Sequence, residues 1–479
     1  MPELQKALTP VTRTPRLDLT IAVFLTFHLA LALAVPLIQD EAYYTLWASG
    51  PSWGYYDHPP MIAWWIAAGE WVFGANRMGV RLVPVLAVAG STAAVWRMAL
   101  LLAQGDRRAA GLAAVFYNAT VLVLVLGFTA TPDAPSLVFW TIASWAAVEA
   151  TTSGKPLRWW ALAGIAAGLG IQSKFTNIFW GVGMVGWLSV TPTGRRWLTR
   201  AGPWVGAALA IVMIVPLIWW NIANDLVGLE RQFGRVTEAG FTSGFLIEYL
   251  IVTPILITPL IFWAAVRGIR AVQGPGRGLL LWLNAPLPVY MIWHSLHSQV
   301  QANWLLPIFP AVAVLAGVWA AGQGARFGAW AASVGLAISA LILTLGFWPG
   351  TPLVRANNPF NQTRGWAETR SEFQRIAQAA GATWIVTDDY GKAAILWWYL
   401  PDLQVRDITE PNRYLFRKDL PQRFCDQPAL MVTERPGALD LPFSKVSGET
   451  TILRRSGRAD LVRYRVIPVQ GYLAGACAD

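Results

Sequence analysis

Eleven stretches of mostly apolar residues, each near the roughly 20 residues that a membrane span requires, organise this chain. They fall near residues 17–38, 79–103, 109–127, 134–150, 158–173, 176–190, 203–221, 245–266, 279–295, 303–322 and 328–348. The composition agrees: 13% of residues are charged, against about 25% in an ordinary soluble domain, which argues against a soluble enzyme. Disorder is excluded too, since 27 Trp, 20 Phe and 12 Tyr are the reverse of a disordered composition. The first stretch follows basic residues and resembles a signal peptide at its ends. Its apolar run is too long for one and ten more follow, so it is expected to be retained. The chain reads as a mainly α, polytopic helical membrane protein.

Orientation follows from the basic residues, which favour cytoplasmic loops. With the N-terminus inside, the inner loops hold fourteen Lys and Arg and the outer loops five. The acids show the reverse: Asp40, Glu41, Asp57, Glu70, Asp133, Asp225, Glu230, Glu238 and Glu248 fall on or near the outer side. Acids contribute little to topology, so this cluster asks for another explanation. The net charge of +10 is largely explained by the inner loops, and no nucleic-acid motif is visible.

Residues 1–350 are read as the transmembrane domain and 351–479 as a soluble, extracytoplasmic α/β domain. The latter holds 17 Lys/Arg and 14 Asp/Glu, against 20 and 13 in the 350 residues before it. Its pattern predicts helices around 367–380 and 391–399, and strands at Thr383–Thr387, Ala429–Thr433 and Leu461–Ile467. Both cysteines, Cys425 and Cys477, lie there; a disulfide would persist outside the cell, but sequence does not supply their separation. The patterns Gly164-x3-Gly168 and Gly90/Ala94 are expected to mark close helix packing.

The first outer loop, 39–78, carries the most chemistry. It opens Gln39-Asp40-Glu41-Ala42-Tyr43-Tyr44 where the first span ends, and continues Trp53-Gly54-Tyr55-Tyr56-Asp57-His58-Pro59-Pro60. The apolar run at 61–73 is too short to cross and is expected at the interface. Two carboxylates at a span end are costly unless solvated or used. One reading is interfacial acids with an aromatic belt; the other is a general base held at the membrane surface.

These motifs resemble the GT-C fold membrane glycosyltransferases. The likeness is to the bacterial branch related to protein O-mannosyltransferases and to the lipid A aminoarabinose transferase (glycosyltransferase family 39-like). Thr131-Pro132-Asp133-Ala134-Pro135, Gly170-Ile171-Gln172-Ser173-Lys174-Phe175-Thr176, Ala302-Asn303-Trp304 and Asp388-Asp389-Tyr390-Gly391-Lys392 extend it over nearly the whole chain. Each motif alone is weak; their order and shared outer location make the combination fairly specific.

The resemblance implies a multi-pass enzyme of the bacterial inner membrane, its active site facing the periplasm. It would move a sugar from a polyprenyl-phosphate carrier to lipid A, lipopolysaccharide core or another envelope glycan. Asp40 matches the family's catalytic acidic position. Lys174 is the best cation for the leaving phosphate, against the alternative of a snorkelling lysine. Arg231 and Arg235 are weaker cation candidates. Glu41 either orients a sugar hydroxyl or faces water, and Asp133 either binds a sugar hydroxyl or caps the next span. Asp57 and His58 would hold donor phosphate; the related aminoarabinose enzyme has Lys where His58 stands, which puts that role in doubt.

Asp57, His58, His294 and His297 offer the residue types for a divalent metal site, the last two at i and i+3. The alternative is polar interface residues. No other cofactor is implied. The expected partners are the lipid-linked donor, a lipid or glycan acceptor and membrane lipids, with the chain acting as a monomer. A protein O-glycosyltransferase, a ligase of whole lipid-linked glycans and a transporter of lipid-linked sugars remain as alternatives. The last is disfavoured because transporters place ionisable groups near mid-membrane, whereas these gather at one face.

Overall fold

The computed structural model describes residues 14–234, 241–272, 275–347, 359–417, 424–437, 439–457 and 459–474 of the chain. All eleven apolar stretches contain helix, but not as eleven continuous rods. By length and composition alone, five described helices can cross a membrane: Leu17–Ala34, Arg77–Leu102, Ala201–Ala223, Ala302–Ala321 and Ala325–Gly346. A sixth span is made if Gly244–Ile257 and Pro259–Ala271, bent by 95°, count as one. Prolines mark two of the breaks, while other stretches form helices that are too short or not apolar enough to count as spans. Proline lacks an amide donor and drives the preceding residue out of helical geometry. Thr258, before Pro259, sits at φ 85°. The stretch ending at Ser295 breaks between Asn284 and Pro286. Another break, at Thr120, separates Arg107–Ala119 from Val121–Leu126 without proline.

Glycine sets one helix crossing. A Cβ on Gly164 would lie 2.0 Å from the carbonyl oxygen of Gly206, and one on Gly168 would lie 2.6 Å from Cβ of Met213. The Pro156–Ile171 helix thus meets the Ala201–Ala223 helix backbone to backbone. Gly90 departs from expectation: a Cβ there meets nothing within 4 Å.

Four helices frame the first outer loop. Helix α1 (Leu17–Ala34) stops ahead of Pro36, and α2 (Gln39–Ala48) begins after four intervening residues. The side chain of Glu41 reaches back to the Ile38 amide, 3.2 Å away, satisfying one of the donors that a helix start leaves open. Asp40 and Glu41 lie in the first turn of α2, where the helix dipole favours negative charge. Helix α3 (Met61–Phe73) has only 13 residues, as expected of an interfacial segment. Helix α4 (Arg77–Leu102) is capped by Asn76, whose side chain accepts from the amides of Met78 and Gly79.

Among the described residues, the C-terminal region forms a six-stranded mixed sheet with two α-helices. Helix Trp366–Ala379 precedes β1 (Trp384–Thr387); helix Tyr390–Tyr399 links it to β2 (Gln404–Asp407). Then come β3 (Ala429–Thr433), β4 (Phe443–Val446), β5 (Thr450–Ser456) and β6 (Ala459–Tyr472). The order is β2-β1-β3-β6-β4, with β5 also on β6. Strand β1 runs parallel to both β2 and β3; β6 is antiparallel to its neighbours. Every residue of β1 and β3 is buried, as central parallel strands covered on both faces must be. The expected helices and strands are present, β6 being longer at both ends than 461–467. Cys425 is buried and disulfide-bonded; Cys477 lies outside the described residues.

This sheet is not separate from the rest. One buried apolar cluster joins Tyr43, Leu46 and Trp47 of α2 and Ile62 and Ile66 of α3 to Phe373, Ile385, Leu396 and Val432 of the C-terminal region. The loops leaving the carboxyl ends of β1 and β2 carry Tyr390 and Arg413, which reach the first outer loop.

Candidate active site

Asp40 projects from the first turn of α2 and accepts a hydrogen bond from the Tyr390 hydroxyl, 3.3 Å away at Oδ1. It keeps part of its surface accessible while protein surrounds it. Burial pushes its pKa up. The Tyr390 hydrogen bond opposes this; nearby Asp57 and Asp133 add to it, and Arg413 counters them. A partly accessible carboxyl with a raised pKa is suited to taking a proton. Tyr390 stays a donor, since burial first and the Asp40 charge second push its phenol up.

Asp57 is buried in a charge network absent from the sequence reading. Arg413 ion-pairs with its Oδ2, the Tyr43 hydroxyl donates to the same oxygen at 3.0 Å, and Arg231 lies 3.5 Å from Oδ1. Glu410 ties the two arginines together, 2.7 Å from Arg413 and 3.3 Å from Arg231. Arg413 also lies 3.8 Å from the centroid of the Tyr390 ring, well within cation–π range.

Asp133, whose charge also acts on Asp40, forms a buried pair with Lys174, Nζ to Oδ1 at 2.7 Å. Asn303 donates to the second oxygen of Asp133 at 2.6 Å. Asp133 is therefore the partner of Lys174 as well as part of the first turn of Asp133–Thr152. Lys174 is not the lysine snorkelling to water that one reading of the sequence allowed.

Glu41 departs most clearly from expectation. Its side chain is completely buried and receives Arg81 at both oxygens, Nε to Oε1 at 2.7 Å and Nη2 to Oε2 at 2.5 Å. The Ala130 amide adds a bond at 2.9 Å, and Arg81 also reaches the carbonyls of Ala32, Val35 and Pro36. Glu41 neither faces water nor presents a free oxygen to a sugar. It locks α1, α2, α4 and the segment before Asp133 together.

The four proposed metal residues are not gathered into a site. Among the described residues, no group of three or more His, Cys, Asp and Glu is placed to hold a metal. His58 packs beside Tyr44, His294 beside Trp304 and His297 beside Phe241, while Asp57 is taken up by arginines. Arg235 lies outside the described residues.

A separate cavity of about 290 Å³ lies between the Gly244–Ile257 helix and residues 299–309, lined mainly by apolar side chains with Glu248, Gln299 and Gln301 among them. It does not include Asp40, but Ala302 on its wall precedes Asn303, the partner of Asp133.

Tyr390, Arg413, Tyr43, Glu410, Asn303 and Arg81 escaped sequence reasoning as site or framework residues. Tyr390 and Asn303 lay in motifs noticed for resemblance. Arg413 sits in Pro411-Asn412-Arg413-Tyr414, which carries no distinguishing pattern.

Residues 57–220 match the family described as dolichyl-phosphate-mannose-protein mannosyltransferase. The lipid A galacturonosyltransferase RgtD of Rhizobium johnstonii is 25% identical over 415 residues, covering 82% of this chain and 84% of that protein. An undecaprenyl phosphate-alpha-4-amino-4-deoxy-L-arabinose arabinosyl transferase of Pseudomonas fluorescens is 31% identical over 349 residues, covering 64% of this chain and 60% of its own. Another transferase of the same description, also from Pseudomonas fluorescens, is matched over 49% of its length, so the chain spans only about half of some of these relatives. The crystal structure of ArnT from Cupriavidus metallidurans bound to undecaprenyl phosphate superposes with a TM-score of 0.67 at 16% identity, covering 94% of this chain and 97% of that one.

Proposed function

We propose that this chain, a multi-pass membrane protein of the GT-C glycosyltransferase superfamily, transfers a sugar from a polyprenyl-phosphate carrier to a hydroxyl of lipid A on the periplasmic side of the inner membrane. Donor and acceptor classes follow those in the names of its relatives. The observation that carries the chemistry is Asp40: a partly accessible carboxylate with a raised pKa in the first turn of α2, among buried cations.

The acceptor hydroxyl gives its proton to Asp40 as its oxygen attacks the anomeric carbon. The bond from that carbon to the phosphate oxygen breaks, and the electron pair leaves with polyprenyl phosphate. Attack from the side opposite the phosphate inverts the anomeric centre. Lys174 and Arg231 supply the positive charge that the phosphate needs. One Lys174 donor is directed at Asp133, and the geometry of Arg231 with Asp57 at 3.5 Å is that of a loose pair. Asp57, held by Arg413, sets the position of Arg231; His58 lies next to it in the same turn. The 359–474 region closes the site from the outer side and shapes acceptor access.

The test uses purified variants with an undecaprenyl-phosphate-linked sugar and lipid A, scoring donor binding and turnover separately. Asp40→Asn keeps the shape and cannot take the proton, so turnover falls by about 10²–10⁴-fold while donor binding persists. Near-normal turnover of a correctly inserted Asp40→Asn enzyme refutes the assignment.

A further inference from the structure

We propose that Tyr390 and Arg413 form a clasp, contributed by the C-terminal sheet region, that positions Asp40 and stabilises its charged form for proton abstraction. This rests on the reading of Asp40 as the base and adds a second part of the chain to the machinery around it.

The clasp is continuous in space. The Tyr390 hydroxyl donates to Asp40, the Arg413 guanidinium stacks on the Tyr390 ring, and the same guanidinium pairs with Asp57. Glu410 fixes Arg413 from behind through its Nε at 2.7 Å. Tyr43, one turn along α2 from Asp40, packs edge-on against Tyr390 with ring centroids 4.9 Å apart and donates to Asp57. A phenol and a guanidinium thus span the gap between the two acids of the first outer loop.

The fold explains why these two residues arrive together. Strands β1 and β2 are parallel neighbours, so their carboxyl ends lie side by side. Open α/β sheets place their functional loops at that edge. The turn after β1 delivers Tyr390 at the start of its helix, where Asp389 caps by accepting from the Lys392 amide at 2.8 Å. The loop after β2 delivers Arg413. Gly391 lets that helix approach α2, since a Cβ there would come within 3.2 Å of the Gln39 side chain.

The charged and titratable groups around Asp40 can be named element by element. From its own helix come Tyr44 and Glu41, the latter neutralised by Arg81. The loop after α2 brings Asp57, and the Asp133–Thr152 helix brings Asp133 with Lys174. The C-terminal region brings Tyr390 and Arg413. The two like charges disfavour the ionised base, and both clasp residues favour it. Removing either clasp residue therefore raises the pH at which activity appears, whereas removing Asp57 lowers it.

The experiment measures kcat/KM against pH for wild type, Asp40→Asn, Tyr390→Phe, Arg413→Lys and Asp57→Asn, with undecaprenyl phosphate alone as the binding probe. The acidic limb reports the base of the free enzyme. Tyr390→Phe retains the ring and removes one hydrogen bond. Its acidic limb should move up by about one pH unit, the shift that one hydrogen bond to a carboxylate supports, with undecaprenyl phosphate affinity retained. Arg413→Lys keeps the charge but loses the planar stack that holds the Tyr390 ring; its limb should move up by less than that of Tyr390→Phe, with a lower kcat. Asp57→Asn should move the limb down. Damage to folding alone lowers the active fraction and leaves the limb where it was. An unmoved limb in Tyr390→Phe, with Asp40→Asn inactive, overturns the clasp and leaves the base assignment standing. An active Asp40→Asn enzyme overturns both.

Discussion

Replacing Glu41 by Gln separates a framework acid from a catalytic one. The carboxylate receives four hydrogen bonds: two from Arg81, one from the Ala130 amide and one from the Ile38 amide. Both side chains of the pair have no exposed surface. Breaking a buried ion pair from one side costs about 3–5 kcal/mol, because the remaining charge stays buried without its partner. Glu41→Gln retains an acceptor oxygen, so it should sit at the lower end, and Glu41→Ala at the upper. The double variant Glu41→Leu with Arg81→Met is informative. Exchanging both members of a buried pair for apolar residues is often neutral. Here the exchange also strands the amides of Ile38 and Ala130 and the carbonyls of Ala32, Val35 and Pro36, at about 1–3 kcal/mol for each one left buried and unsatisfied. The double variant should therefore remain clearly destabilised. Thermal unfolding of the detergent-purified protein, with undecaprenyl phosphate binding measured on the folded fraction, reads both quantities. A Glu41→Gln protein of unchanged thermal stability but lost turnover refutes the framework reading.

Two further outcomes follow from the geometry. Lys174→Ala should weaken undecaprenyl phosphate binding as well as turnover, while Asp133→Asn, which leaves the lysine charge uncompensated, should retain or strengthen binding; isothermal titration of both variants checks the order. Gly164→Ala should lower the thermal midpoint, since its Cβ would meet the Gly206 carbonyl at 2.0 Å, whereas Gly90→Ala, which meets nothing within 4 Å, should leave it unchanged.

The sequence was legible where a single local rule governs. Apolar length marks the helices, and alternation and apolar runs mark β1, β3 and β6. It was less legible at breaks: an apolar stretch looks the same whether continuous or folded back at Thr258, and only Pro259 hints at the bend. The site divides similarly. Asp40 stands out because an acid at the end of a span needs a reason. Glu41 was misread because its neighbour on α4, Arg81, is forty residues away and looks like an ordinary basic residue near a span end. Arg413 could not be found at all, since its partner Asp57 is 356 residues away and the loop that carries it has no motif. Pairings between distant elements follow from the fold, whereas composition and spacing act locally.

Burial raises the pKa of Asp40, the proposed base, and the surplus of acids around it adds to that rise. Among the described residues, Asp40, Asp57, Asp133 and Glu410 face Lys174, Arg231 and Arg413, so with Asp40 ionised the acids outnumber the cations by one. A donor phosphate brings further negative charge into this low-dielectric space. Protonation of Asp40 relieves the repulsion, and turnover requires the proton to be absent. If Asp40 is the base, as proposed, the donor is bound best by the form that is not yet ready to react, and the clasp residues would narrow that conflict by stabilising the ionised carboxylate from the side of the C-terminal region. Asp40→Asn removes the excess charge permanently. Its donor affinity should accordingly equal or exceed that of wild type at neutral pH, with the difference vanishing as the pH falls through the Asp40 pKa.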